Sequence, residues 1–258
     1  MSRPKSGPPA SHGKTKPERG RRHVLVVVVL VVLIAAVGVW AAFSFGVNHG
    51  DSSTTSSATI TDFCGGDSVI NCVHILSDMV YRDTSGYSHV VGEVQNQGTQ
   101  NLEYIELQAT FYAPNGTVIE TDNAMAMVDV LIPQQKAPVD ISVSQANITV
   151  ASAKLLITSA TLAYDKPDTS LSTLGIAHTV DQLGYYHVTG EVKNSATSEA
   201  VQVQVVVTFY DASGKIVGAS YDSPVVLPGG QSTAFDVGMD RPYVTIASFA
   251  VQVQVEVT

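Results

Sequence analysis

The chain has 258 residues, a net charge of −9 at pH 7 and two cysteines. That length accommodates one large domain or two small ones. The charge is lopsided: seven Lys/Arg stand against one acid before Val24, and seven stand against 22 acids from Gly46 onward. So acidic a C-terminal part repels phosphate backbones, which excludes nucleic acid as its partner.

Residues 1–23 are rich in Pro, Gly, Ser, Lys and Arg without apolar periodicity. They cannot bury enough surface to offset the entropy of ordering, and are expected to be a disordered basic cytoplasmic tail. Its cations could touch anionic lipid headgroups. The next 22 residues, 24–45, carry no charge. As a helix they would measure about 33 Å against a hydrocarbon core of about 30 Å, one crossing of a bilayer. A cleaved signal peptide has an apolar core of only about 7–15 residues and a small-residue cleavage site. The cations all lie on the N-terminal flank, and no Lys or Arg follows for 36 residues after Phe45. The positive-inside rule therefore keeps the tail in the cytoplasm and puts everything after Gly46 outside, with Trp40 and Phe43 near the outer interface.

Residues 46–61 have the Ser/Thr/Gly composition of a flexible stalk. Cys64 and Cys72 then enclose a Gly-rich turn. On the oxidising side of a membrane they are disulfide candidates, and closing so short a loop stabilises by about 2–3 kcal/mol. Two free thiols in a cytosolic chain is the alternative reading.

The remainder is written twice. Between 86 and 118 there are 13 identities in 33 positions with the stretch 98 residues later, without a gap. The first copy runs through Gly86, His89, Gly92, Glu93, Val94, Asn96, Thr110, Phe111, Tyr112 and Gly116. The second runs through Gly184, His187, Gly190, Glu191, Val192, Asn194, Thr208, Phe209, Tyr210 and Gly214. Farther on, Pro133 aligns with Pro228 after a three-residue contraction, and Asp140 aligns with Asp236. A period this long marks domains and not solenoid units. The division is 62–164 with the cysteine lead-in, a linker at 165–172, and 173–258.

Within each copy the pattern has period two. Ile105, Leu107, Ala109 and Phe111 alternate with Tyr104, Glu106, Gln108 and Thr110; Val201, Val203, Val205, Val207 and Phe209 alternate with Gln202, Gln204, Val206 and Thr208. Strict alternation predicts antiparallel sheets with one face in a core and the other in water. The last strand, from Phe249, puts Gln252, Gln254 and Glu256 outward. Turn residues at Pro114–Gly116 and Ala212–Gly214 separate strands at matching places. The expected architecture is an all-β ectodomain of two tandem antiparallel β-sandwiches preceded by one transmembrane α-helix. The expected core contains Val90, Val94, Ile105, Leu107 and Phe111, with Val188, Val192, Val203, Val205 and Phe209.

The sequence Gly92-Glu93-Val94, then Asn96, then a strand ending Thr110-Phe111-Tyr112-Ala113, with its copy ending Thr208-Phe209-Tyr210-Asp211, resembles the FxLYD-type domain. The resemblance covers about 74–164 and 174–258. It implies a small immunoglobulin-like sandwich of archaeal and bacterial envelope proteins, often tandem or behind a membrane anchor, and supplies no catalytic residues. The name-giving motif is only partly kept; with Ala113 in place of Asp, the first turn depends on Pro114 and Asn115.

Candidate chemistry is sparse. His89 and Glu93, like His187 and Glu191, share a strand face but stand about 13 Å apart and cannot share a metal or proton. Their recurrence points to fold maintenance, with His89 in a cross-strand pair. Asp122, Asp129, Asp140, Asp222, Asp236 and Asp240 lack the spacing of a calcium loop. No nucleophile elbow or reactive Cys/His pair is present, and no catalytic, metal or cofactor site is expected. Asn115 and Asn147 begin glycosylation sequons. Tyr104, Tyr112 and Tyr210 occupy outward positions that could form a binding surface or merely cover the sheet. The expected function is non-enzymatic binding, adhesion or scaffolding in the cell envelope, toward an unidentified envelope protein or glycan. The alternatives are an accessory or sensory subunit of a membrane complex, and a metal-binding envelope module. The places to look are where the copies differ: the Cys64–Cys72 lead-in and the loop 121–134, counted as three residues longer than its partner.

Overall fold

Period-two sequence becomes strand, with a break at Gln202, whose φ of +52° separates Val203 from Val201 and leaves Val201 exposed instead of in the core row. The computed structural model of the protein describes residues 64, 68–164, 167, 169–223, 226–239 and 244–255. The expected tail, membrane helix and stalk lie outside the described residues, as do Asp240 and Glu256. Among the described residues no helix is long and apolar enough to cross a membrane. All of them fall in one compact unit.

The first repeat holds a 3-10 turn at Val69–Cys72 and six strands: β1 (Val73–Arg82), β2 (Ser88–Asn96), β3 (Leu102–Tyr112), β4 (Val118–Met125), β5 (Lys136–Ser142) and β6 (Ser152–Leu162). The second holds β7 (Leu171–Val180), β8 (Tyr186–Asn194), β9 (Ala200–Val201), β10 (Val203–Tyr210), β11 (Ile216–Asp222), β12 (Val226–Leu227), β13 (Ser232–Met239) and β14 (Ser248–Val255). Every pairing is antiparallel. Sheets β1-β2-β5 and β4-β3-β6 share one apolar core; sheets β7-β8-β13 and β11-β10-β14, with the short pair β12-β9, share another. All ten expected core residues are buried in these clusters. Cys64 and Cys72 are disulfide-bonded with their Cα atoms 5.2 Å apart.

The recurrent residues serve the backbone. Asn96 is fully buried; its Nδ2 donates to the carbonyls of Gln100 and Leu131 at 2.8 Å, and its Oδ1 accepts from the Gly98 N–H at 2.9 Å. Asn194 repeats this with Ser198, Leu227 and Ala196. Each buried amide satisfies the N–H two residues on and ties that turn to a carbonyl of the facing segment; Leu131 accepts from the Leu102 N–H as well. Gly190 lies where a Cβ would come within 2.9 Å of the Phe235 ring and 3.0 Å of the Leu174 carbonyl, so only glycine lets the strand seat. Gly116 and Gly214 take φ of +80° in the β3–β4 and β10–β11 turns, which glycine adopts without steric cost. Asn115 Oδ1 accepts from the Thr117 N–H and hydroxyl, standing in for Asp211, whose Oδ1 accepts from Ser213 and Lys215. Those donors, the Ser213 hydroxyl foremost, hold the Asp211 carboxyl below its ordinary value.

Three further sequence expectations need correction. The hydrogen-bond frame equates Leu131 with Leu227 and Gln135 with Gln231, so Ile132, not Pro133, is the counterpart of Pro228. The loop within 121–134 is therefore two residues longer than its partner, not three. One proline in a short turn was a weaker register marker than the buried Asn clamp.

Second, β10 is not wet on one side. Val206 and Thr208, on its outward face, are as buried as Val205 and Val207. Third, Gln252 and Gln254 do not point into open solvent. Gln254 Nε2 donates to the Met127 carbonyl at 2.9 Å, its Oε1 accepts from the Asp129 N–H at 2.9 Å, and Gln252 Nε2 donates to the Lys136 carbonyl at 3.1 Å. The physical reason is common to both: the outward face of β11-β10-β14 lies against the outward face of β1-β2-β5. A one-chain alternation rule cannot anticipate a second sheet arriving from elsewhere.

Candidate functional site at the junction of the repeats

Glu93 sits on the outward face of β2, beyond His89 and Val91 in the two-residue register. It is nevertheless 2 % exposed. Burial of a carboxylate demands partners, and both come from outside its strand. The Tyr210 hydroxyl, on β10 of the other repeat, donates to Glu93 Oε1, and Lys136 Nζ, on neighbouring β5, lies 3.0 Å from Oε2. The Lys136 ammonium is also 5.8 Å from the centre of the Tyr210 ring, within cation–π range. Burial raises the phenol's pKa well above the ordinary tyrosine value, and the hydrogen bond to Glu93 and its negative charge push the same way. Tyr210 therefore stays neutral and donating at any physiological pH.

Around this polar centre the contact is apolar. Val91 of β2 and Val206 of β10 are completely buried outside their own repeats' cores, and Met79 of β1 packs against the second core. The N–H of Ile216 at the start of β11 points at Ser77 Oγ, 3.4 Å away. Complete burial of each valine is worth about 1.5–3 kcal/mol. The joint combines an apolar seat with a directional polar lock, and so fixes both cohesion and register.

His89 goes elsewhere. Its Nδ1 pairs with Asp140 Oδ1 at 2.8 Å, across β2 and β5, while the Tyr81 hydroxyl donates to Asp140 Oδ2. The imidazole stacks on the Tyr81 ring with centroids 4.7 Å apart. Its Nε2 is buried without a hydrogen-bond partner among the described residues, with Asp83 Oδ2 at 3.7 Å. Burial alone would lower the imidazole pKa; Asp140, by hydrogen bond and charge, and then Asp83 outweigh it, and the net shift is upward. In the second repeat His187 Nδ1 meets Asp236 Oδ1 at 2.9 Å, but Thr179 stands where Tyr81 does and the pair is more exposed. These are the cross-strand pairs expected of the recurrent histidines.

The remaining candidates are dispersed. Among the described residues no three His, Cys, Asp or Glu gather as a metal site. Asp222 Oδ2 accepts the Asp236 backbone N–H at 3.2 Å. Asn115 and Asn147 are both exposed, the latter at φ +64° with its backbone N–H donating to the Gly86 carbonyl. The three tyrosines do not form one surface: Tyr104 is 51 % exposed, Tyr112 half-buried, and Tyr210 is engaged at the joint. Sequence reasoning missed the joint, although a signal was available. Met79, Val91 and Val206 are apolar at outward positions where the other copy has Ala177, Thr189 and Gln108.

No family model and no curated protein sequence matches the chain. Among solved structures, it is similar to an exo-chitosanase of Amycolatopsis orientalis at 13 % identity and TM-score 0.22, covering 64 % of this chain and 24 % of that one. It is also similar to the C-terminal globular domain of an oligosaccharyltransferase from Pyrococcus abyssi at 7 % identity and TM-score 0.19, covering 71 % and 46 %. The chain thus spans about a quarter of the first protein and under half of the second. Likenesses this faint carry no argument about fold or activity.

Proposed function

We propose that the chain is a single-pass membrane protein displaying two tandem immunoglobulin-like sandwiches of FxLYD type outside the cell, with a non-enzymatic role in binding, adhesion or scaffolding. The observation that carries the reading is the charge-free stretch 24–45 with seven cations before it and an acidic all-β part after it. A bilayer span and its orientation follow from those residue types. The joint at Glu93 and Tyr210 adds to the reading by making the two repeats one body. Such a body presents its free sheet faces and loops at a set spacing, which suits a spacer or scaffold better than two beads on a flexible string. The Cys64–Cys72 disulfide is in keeping with an oxidising compartment.

Protease treatment of intact cells tests the topology: the part after residue 46 should be digested and the tail protected. Digestion of the ectodomain only after lysis would overturn the orientation. Deleting residues 62–258 while keeping the anchor then tests the role. Retained copurification with a membrane complex would assign the partner contact to the anchor and sink the binding reading in favour of an accessory subunit.

A further inference from the structure

The joint between the repeats joins unlike faces: the outward β1-β2-β5 face of one repeat receives the outward β11-β10-β14 face of the next. Among the described residues, a contact of this heterologous kind leaves one face of each type uncovered. The receiving face left over is β7-β8-β13, and the inserting face left over is β4-β3-β6. Both keep the polar centre of the lock. Glu191, counterpart of Glu93, is exposed at the middle of β8, and Tyr112, counterpart of Tyr210, ends β3 in the matching position.

The empty receiving face has a seat. A groove of about 830 Å³ is lined by Leu174, Thr189, Glu191 and Ala234, the counterparts of Leu76, Val91, Glu93 and Pro138. Leu174 is 45 % exposed there. The inserting face carries exposed apolar groups as well: Val118 opposite Tyr112, and Leu156 and Met125 farther along β3, opposite Gln108 and Glu106 on the same outward face. The charges are complementary. Glu191, Asp222 and Asp236 line the receiving groove, with Lys193 of β8 opposite Ser232, the counterpart of Lys136; Lys154, opposite Thr110, supplies a cation on the inserting side where the second repeat has Ala250.

We infer that copies of this chain associate head to tail, the β4-β3-β6 face of one copy entering the β7-β8-β13 face of another, with Tyr112 and Lys154 directed at Glu191. Gln108 and Thr189 stand where the internal joint has Val206 and Val91, so the contact between copies buries less apolar surface and is reversible, whereas the internal joint is permanent. A heterologous contact repeats, giving rings or rows of copies. The inference does not depend on membrane anchoring.

The test co-expresses two full-length chains bearing different affinity tags, one with Tyr112→Cys and the other with Glu191→Cys, followed by mild oxidation. A disulfide-linked species carrying both tags is expected. Replacing Glu191→Cys by Leu183→Cys, an exposed site off the face, should reduce its yield by about tenfold, as loss of a specific contact would. One chain carrying Tyr112→Cys and Glu191→Cys together should give a ladder of oligomers. Glu191→Lys and Lys154→Glu should each weaken association, and the two changes in one chain should restore it. Links formed only between two Glu191→Cys copies would replace the inference with a like-to-like contact. No link above the Leu183→Cys control, with thermal unfolding unchanged, would overturn it outright, and so would a double charge reversal that fails to rescue.

Discussion

Replacing Tyr210 by Phe deletes one oxygen and leaves the ring over Lys136 in place. The lost group donates to a carboxylate that is 2 % exposed, so no water can substitute without opening the joint. Hydrogen bonds to charged groups contribute about 1.5–3 kcal/mol, and the desolvated setting argues for the upper half of that range. Lys136 stays 3.0 Å from Glu93, which keeps the charge from being wholly uncompensated. The expected loss is about 2–3 kcal/mol, or roughly 4–12 °C in Tm for a body of this size. Urea unfolding of wild type, Tyr210→Phe, Glu93→Gln and the double variant closes a double-mutant cycle, with an expected coupling of about 1–2 kcal/mol. Tyr112→Phe is the internal control: the same residue type at the equivalent position, without a facing repeat, should change stability by less than about 0.5 kcal/mol. A coupling below about 0.5 kcal/mol, or equal effects of the two tyrosines, would refute the lock.

The same tyrosine gives an alkaline signature. Its folded pKa is raised, so its contribution is fully present below the unfolded value of about 10 and is lost as pH rises beyond it; Tyr210→Phe should remove that part of the alkaline destabilisation. His89 also has a raised folded pKa, so its contribution is present below about pH 6.5 and is lost as pH rises through the folded value. The cost of His89→Phe, measured by urea unfolding, should therefore be larger at about pH 5.5 than at about pH 8.5. Asn96→Ala leaves the buried Gly98 N–H without a partner and takes a donor from the Gln100 and Leu131 carbonyls, the latter still accepting from the Leu102 N–H, and should cost about 1–3 kcal/mol by the same assay. Gln134 holds φ +67° where the second repeat uses Gly230 at +74°. Gln134→Gly should thus stabilise by about 0.5–1 kcal/mol, read as a rise in midpoint; a loss would show that the left-handed backbone is not strained there.

The all-β character, the duplication and the core were legible because they are local or periodic properties. Alternation alone placed Val90, Val94, Ile105, Leu107 and Phe111, and their five counterparts, inside. The recurrent Asn96 and Asn194 were visible as repeated residues, but their task depended on carbonyls about 35 positions away, which no spacing rule supplies. Pro133 misled the register by one place, because a turn proline tolerates a shift that a fully buried amide does not. The His89–Asp140 pair lay within reach of reasoning, since strand pairing puts diagonal neighbours together.

What only the tertiary structure decided was the fate of the outward faces. Glu93 and Glu191 are chemically identical and sit in the same Gly-Glu-Val frame, yet one is buried and bonded across the joint while the other faces solvent. A residue's period determines which side of its sheet it occupies; whether that side meets water or another sheet depends on where the second repeat comes to rest. The sequence by itself therefore determined two copies of one β framework and an acidic, cysteine-poor surface. The docking of one copy on the other, and with it the difference between used and unused faces, was decided by surfaces meeting across more than a hundred residues of chain.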